Sequence, residues 1–308
     1  MRSKNQYTSN AKPAKKKSTA RLLIILFLLA AAAVLAVFSV SQYLAVQALQ
    51  DNLDSLEEKF EEVEQEKTKL EEQYEEIYEE NEKLREENKL MRSETIINHG
   101  NRETNKVAIT IDDGAGEELT QRALDIFKEH DMQATLFPKG DIVEHQPKIW
   151  RRAVEEGHEL GNHTYSHPYI TSLSEEQVRE ELTAWQDSVD EAIGSSYRNL
   201  FFRPPYGDGF LSNYSQQREK LQQIVAEKGM FTILWDIELI YALGDHYTKE
   251  RVVEHVLANA KGGSIVLLHF NNQDIAALPD IITGLRERDL EPCSLSELLL
   301  AEPQTEAQ

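Results

Sequence analysis

From Leu22 to Gln50 the chain carries no charged residue, and 22–40 is almost wholly apolar. Nineteen residues rise roughly 28 Å as a helix, which matches a bilayer core of about 30 Å. The segment 22–45 therefore reads as a transmembrane helix. Its N-terminal flank, 1–21, carries seven bases and no acid. The positive-inside rule puts that basic tail in the cytoplasm and everything after the span outside, as a single-pass protein of the cell membrane. A cleaved signal peptide is the competing reading. The stretch is long for one, no small-x-small cleavage site followed by a disordered start stands out, and Cys293, the one cysteine, is far from it.

A heptad run follows over 46–92. One apolar series is Leu49, Leu56, Val63, Leu70, Ile77, Leu84 and Met91; the alternating series is Leu53, Phe60, Lys67, Tyr74, Asn81 and Asn88. Spacing alternates four and three without a slip, the signature of a coiled coil. With the first series at d and the second at a, the buried asparagines favour a parallel homodimer in fixed register. A single solvated helix is the alternative, because 51–92 carries 17 acids against 7 bases and two such chains repel. Net charge over the whole chain is −21. The bases of the tail offset part of the acidity, so the segment beyond the coil is itself strongly acidic. That excludes nucleic acid as a natural partner, since its phosphates are repelled.

Residues 93–106 read as a polar linker, 107–301 as a globular domain and 302–308 as a disordered tail. Within the domain short apolar runs alternate with amphipathic stretches. Strands are predicted at 107–111, 134–137, 159–162, 200–203, 231–235, 264–269 and 291–293. Helices are predicted at 117–130, 148–156, 175–193, 216–228, 249–259, 275–288 and 295–300. Ser174 with Gln177 resembles a capping box, and Gly194 and Gly229 suit helix ends. Such alternation implies an α/β fold with a parallel sheet, and about seven strands suggest an irregular (β/α) barrel. A doubly wound open sheet is the alternative, but no G-x-G-x-x-G run follows the first strand.

Candidate polar residues fall at the ends of those strands. Asp112 and Asp113 follow the first, His163 ends the third, Arg203 the fourth and His269 the sixth. Parallel barrels put their active sites at C-terminal strand ends, so these stretches converge on one mouth. His163 and His167 with one of the two aspartates make a three-ligand site for a divalent metal, with positions left for water. The other aspartate is then free to act as a base.

These stretches resemble the polysaccharide deacetylase family, the metal-dependent N-deacetylases of chitin oligomers, peptidoglycan and related polymers. The likeness runs over about 106–300. T-I-D-D-G at 110–114 is similar to the family's first motif, H-T-Y-S-H at 163–167 to its second and R-P-P-Y-G at 203–207 to its third. L-L-H at 267–269 is similar to its fifth. The resemblance implies Asp113, His163 and His167 as metal ligands, with zinc the first choice and cobalt or nickel as alternatives. It implies Asp112 as general base, His269 as general acid, Arg203 as the group that orients Asp112, and the Tyr206 backbone N–H as an oxyanion donor. A carbohydrate polymer is the implied substrate.

The sequence departs from the family at the fourth motif, usually close to W-D-x-D-x-x-D-W. Trp235 and Asp236 are kept, but the last Asp, which pairs with the acid histidine, falls at Tyr241, and the aromatic wall falls at Ala242. Glu238 or Asp245 is the candidate substitute. The departure also motivates a second reading, a catalytically weak or inactive domain that binds cell wall on a dimeric stalk.

Overall fold

The computed structural model describes residues 15–211, 215–244 and 246–300. Residues 1–14 of the basic tail, Asp245 and the tail at 302–308 lie outside the described residues. The chain divides into two compact units, Met1–Asn81 and Glu82–Gln308.

Helix α1 runs over Lys15–Glu94. Its N-terminal part is long and apolar enough to cross a membrane. Beyond that part, the heptad residues Leu49, Leu53, Leu56, Phe60, Val63, Leu70, Tyr74 and Ile77 are all exposed. A single helix cannot cover its own apolar stripe, so this one is left facing outward.

After the end of α1, the first strand of the second unit is one that sequence patterning does not foresee. β1, Ile96–Ile97, lies within the stretch read as a polar linker. Then follow β2 (Lys106–Asp113), α2 (Glu117–Glu129), β3 (Thr135–Pro138), α3 (Gly140–His145), α4 (Pro147–Glu155), β4 (Glu159–Leu160) and α5 (Glu175–Ile193). The chain continues through β5 (Phe201–Phe202), α6 (Ser215–Glu227), β6 (Phe231–Ile233), α7 (Ile240–Leu243), α8 (Lys249–Asn259), β7 (Ile265–His269), α9 (Asn272–Arg286), β8 (Glu291–Cys293) and α10 (Leu295–Leu299). Strands and helices alternate as expected, and α3 and α7 are additions. β4 and β5 are shorter than predicted, so His163 and Arg203 follow their strands rather than ending them. At α5 the reason for a boundary is visible. The Gln177 N–H donates to Ser174 Oγ, Gln177 Oε1 accepts from the Ser174 N–H, and Gly194 closes the helix in the left-handed region.

All pairing is parallel. One sheet runs β4-β3-β2-β7, with β8 also on β2; the other runs β1-β6-β5. Single bridges, Asn162 to Phe202 and Ile237 to Val266, tie one sheet to the other. β2 is the hub. Its register puts Asp112 opposite His269 on β7 and Asp113 opposite Pro138 on β3.

Strand alternation then divides β2. Val107, Ile109 and Ile111 join the core beneath the helices, with Leu124, Phe127, Trp150 and Ile281. Ala108 points the other way, into a cluster with Phe137, Phe201, Ile233 and Ile265. Thr110 and Asp112 share the face of Ala108 by period two, so the interior between the two sheets carries polar groups. Arg203, wholly buried, answers them.

Candidate metal centre and active site

Asp113 closes β2 in a left-handed conformation, φ 78°, and Gly114 continues it at φ 96°. The Gly114 N–H donates to the Asp112 carbonyl, which completes the turn that lifts the Asp113 side chain out of the sheet. His163 and His167 are not on a helix, despite their spacing. They sit in a loop that the chain ties to itself. Asn162 Oδ1 accepts the Thr164 N–H at 2.9 Å, and Thr164 Oγ1 accepts the His167 N–H at 3.1 Å. Thr164 and His167 both have positive φ, 61° and 62°. That loop turns the two rings toward one another, with centroids 4.9 Å apart.

The donor set is prepared for a cation. His163 Nδ1 lies 2.8 Å from the Arg203 carbonyl. A carbonyl only accepts, so Nδ1 carries the proton and Nε2 presents its lone pair. His163 Nε2 stands 3.6 Å from Asp113 Oδ1, and His167 Nε2 stands 3.0 Å from the same oxygen. One ligand atom from each of Asp113, His163 and His167 lies within 4.8 Å of the others. Two imidazoles and a carboxylate converging from one side fit a divalent metal with open positions, and N/O donors of this kind suit zinc, cobalt or nickel. Burial alone pushes the Asp113 carboxyl up; its hydrogen bonds and charge interactions with His163 and His167 outweigh that and hold it well below the usual carboxylate range.

Asp112 is buried beside this centre. Arg203 Nη1 donates to Asp112 Oδ1 at 2.7 Å and to Thr110 Oγ1 at 2.8 Å. Its Nη2 donates to the Leu234 carbonyl, and the guanidinium lies 4.2 Å over the Phe137 ring. Burial pulls the guanidinium pKa down, and the Asp112 charge opposes that. Asp112 Oδ2 is 3.8 Å from His163 Nε2. Tyr206, at φ 60° after Pro204 and Pro205, packs edge-on against His167 and stacks on Tyr169 at 4.3 Å.

A cavity of about 210 Å³ gathers Asp112, Asp113, His163, His167, Tyr206 and His269 with Pro204, Trp235, Glu238, Ile240 and Leu267. Arg203 lies beneath it. Six of the seven sequence-predicted residues thus line one cavity, and the seventh holds Asp112 from below. The fourth-motif residues divide their duties. Asp236 accepts the Ile265 N–H at 2.8 Å and pairs with Arg102, so it ties β7 to the loop after β6. Trp235 and Glu238 line the cavity. Ala242 is exposed and outside the cavity lining, which takes its apolar wall from Trp235, Ile240 and Leu267 instead. Asp245, a candidate substitute, lies outside the described residues. Sequence reasoning gave no role to Asp274. Its Oδ2 accepts the His269 backbone N–H at 2.8 Å, and it is wholly buried. An acid five residues after the histidine, in the first turn of a helix, was the available signal.

A sequence model of the polysaccharide deacetylase family matches residues 99–229, which holds the first three motifs but ends before His269. The peptidoglycan-N-acetylmuramic acid deacetylase PdaA of Bacillus subtilis strain 168 is 30% identical over 202 residues, 65% of this chain and 73% of that protein. A peptidoglycan-N-acetylglucosamine deacetylase of Bacillus cereus is 32% identical over 197 residues, 63% of this chain and 87% of that protein. Among solved structures, BA3943 of Bacillus anthracis, described as a CE4 family pseudoenzyme, superposes with a TM-score of 0.59 at 27% identity, covering 67% of this chain and 69% of that one. With a matching domain model, relatives aligned over most of their length and the motif residues gathered in one cavity, the chain belongs to the polysaccharide deacetylase family.

Proposed function

We propose that this chain is a membrane-anchored, extracellular, metal-dependent carbohydrate N-deacetylase that removes acetyl groups from amino-sugar units of a cell-wall polymer such as peptidoglycan, or of chitin oligomers. The observation that carries the proposal is the convergence of Asp113, His163 and His167 within 4.8 Å of one another. They share a cavity with Asp112 and His269. The named activities of the Bacillus relatives support the substrate class. The two parallel sheets and their bridges support an irregular (β/α) barrel, 107–301, with the site at the C-terminal strand ends.

Asp113, His163 and His167 hold the cation, for which zinc is the first choice. When bound, it supplies Lewis-acid polarisation of the acetyl carbonyl and acidification of a water. Asp112, its charge balanced by Arg203, takes a proton from the water that attacks the carbonyl carbon. The Tyr206 N–H donates to the oxygen that becomes negative. His269 gives a proton to the amine nitrogen as the C–N bond breaks, because an unprotonated amine leaves poorly. Trp235, Ile240 and Leu267 offer the acetyl methyl an apolar wall.

The apolar segment of α1 supports a single span with the basic tail in the cytoplasm. The exposed heptad stripe supports a parallel homodimeric coiled coil over 46–92. The full chain in detergent, loaded with zinc or cobalt, is expected to release acetate from peptidoglycan or N-acetylglucosamine oligomers, and Asp112→Asn to lose that release. Metal bound without acetate from any such polymer defeats the proposal. The second reading, a wall-binding domain on a stalk, is favoured by Tyr241 at the fourth motif and by the likeness to BA3943. It wins if Asp112→Asn leaves the cellular phenotype intact while deletion of 46–92 abolishes it.

A further inference from the structure

Beyond α1, the large hydrophobic side chains left exposed among the described residues are Tyr169, Tyr206, Leu211, Ile240 and Leu300. Leu300 ends the described chain, and the other four gather at the site. Tyr206 and Ile240 line the cavity, and Tyr169 stacks on Tyr206. A Cβ at Gly207 would meet Leu211 and Trp235 together, so Leu211 closes on the same rim. Exposed apolar residues scattered singly need no explanation, but a cluster at the mouth of a cavity marks a surface that a ligand covers. The two tyrosines are also held in place. Tyr206 lies edge-on to His167, ring centroids 4.6 Å apart, and stacks on Tyr169 at 4.3 Å with 16° between the planes. Asp208 Oδ2 accepts the Thr171 N–H and the Thr171 hydroxyl, each at 2.8 Å, which pins the loop after His167 to the turn after Tyr206. The Ser172 N–H and hydroxyl both donate to the Tyr169 carbonyl. Tyr206 covers one face of the Tyr169 ring, and Tyr169 is still 59% exposed, so the other face is open to solvent.

We propose that Tyr169 is a sugar-stacking platform. Its open face receives the C–H face of the sugar unit next to the one whose acetamido group enters the cavity, and this makes the site selective for an oligomer over a single sugar. The proposal rests on the deacetylase reading for the identity of the occupant. At about 210 Å³ the cavity is smaller than the roughly 300–1,000 Å³ of pockets that enclose a drug-sized ligand. It takes an acetamido group and part of one ring, and the rest of a glycan has to lie on the rim. A pyranose presents C–H groups on its faces and hydroxyls around its edge. A tyrosine ring matches both, with its negative π face and the hydroxyl at its tip. Tyrosine has two χ angles, and this one is already immobilised by its neighbour, so little entropy is lost when a sugar settles on it. Four exposed side chains are far too few for a protein partner, whose interfaces take about 20–30 residues a side. The order of contacts, His167 to Tyr206 to Tyr169, places the platform one ring outside the proposed metal ligands, beside the reacting unit rather than over it.

The test uses the full chain in detergent, with N-acetylglucosamine and its tetrasaccharide as probes and chelator present so that no turnover intrudes. Calorimetry gives the two Kd values, and NMR of the bound sugar shows whether its C–H protons lie over an aromatic face, which shifts them upfield. The wild type is expected to prefer the tetrasaccharide and to shift its ring protons upfield; no preference, or no upfield shift, overturns the proposal with no variant needed. Tyr169→Ala is expected to lower the preference for the tetrasaccharide over the monosaccharide by about 3- to 10-fold and to abolish the shift. Tyr169→Phe keeps the ring and is expected to retain most of both. A preference that survives Tyr169→Ala, or a Tyr169→Phe protein as poor as Tyr169→Ala, also overturns the platform. A zinc-loaded wild type that releases no acetate refutes the deacetylase reading instead, and the binding series still decides the role of Tyr169.

Discussion

Arg203→Met tests the electrostatics on which the site is built. Arg203 is wholly buried, and its guanidinium donates to Asp112, Thr110 and the Leu234 carbonyl while lying over Phe137. Methionine fills much of the same volume but leaves the Asp112 carboxylate, only 3% exposed, without its counter-charge. Removing one partner of a buried ion pair destabilises by about 3–5 kcal/mol, a large fraction of the 5–15 kcal/mol typical of a whole domain. For a unit of this size that is a Tm fall of about 6–20 °C. Asp112→Asn alone is also destabilising, because it strips the counter-charge from a buried guanidinium. The double variant should lose less than the sum, with a coupling of about 2–3 kcal/mol. Arg203→Lys should rescue little, since an ammonium cannot reproduce the planar fork or the stack on Phe137. Trp150, Trp185 and Trp235 are the three tryptophans and all belong to the second unit, so urea unfolding followed by their fluorescence reports on that unit. The measurement is made with chelator present, so that metal binding does not mask the loss. A change below about 1 kcal/mol, or strict additivity in the double variant, refutes the reasoning.

His158 sets an acid limit on stability. Its Nδ1 accepts the Ala134 N–H at 3.1 Å, which requires a neutral ring, and burial drops its pKa to about 4. Unfolded, it takes a proton near pH 6.5, so the unfolded state binds more protons below that value. Stability is expected to fall by about 3 kcal/mol as pH drops from 6.5 through 4, and His158→Gln should flatten that part of the profile. At the metal centre, His163→Ala or Asp113→Asn should lower zinc affinity by at least about 10-fold in competition with a chromophoric chelator, while chelation of the wild type should stop acetate release. In the stalk, Leu56→Cys and Leu70→Cys each place a thiol at d, and oxidation of membranes carrying either variant should give an interchain disulfide; a monomer on non-reducing gels for both excludes the parallel, in-register pair.

The order of strands and helices was legible because alternation is a local property. β2, α2, α5, α8 and β7 appear within a residue or two of where apolar periodicity and the Ser174 capping box put them. β1 was not legible: two isoleucines in a polar stretch carry no period, and only pairing with β6 makes them a strand. α3 and α7, at six and four residues, are too short to show a helical face. In the site, motif order identified six of the polar and aromatic groups that line the cavity, Asp112, Asp113, His163, His167, Tyr206 and His269, but not the apolar wall of Ile240 and Leu267 nor how the groups come together. The opposition of Asp112 and His269 is a matter of register between strands far apart in sequence, and no local pattern encodes it. Asp274 escaped for the converse reason. Its contact comes from the turn joining β7 to α9, which folds the carboxylate back on the backbone N–H of the preceding histidine, and the only local trace of it is an acid five residues after a histidine.

The backbone adds an argument independent of motifs. Among the described residues, the non-glycine positions with positive φ are Asp113, Asp131, Thr164, His167, Tyr206 and Asp289. Asp131 and Asp289 sit just past helix ends, where aspartate enters the left-handed region easily. The other four lie around the candidate cation site, and neither Thr164, which is β-branched, nor Tyr206 is a residue type that favours this region. Each such conformation is worth about 1–3 kcal/mol of strain and persists only where its surroundings over-determine it. Here the surroundings are visible: Asn162 holds the Thr164 N–H, Thr164 holds the His167 N–H, and Pro204 and Pro205 stiffen the approach to Tyr206. A chain folding only for stability relieves such strain with glycine. This one keeps the side chains and the strain together at the place where the proposed metal ligands and the proposed oxyanion donor face the same small space, which is what binding in a fixed geometry requires.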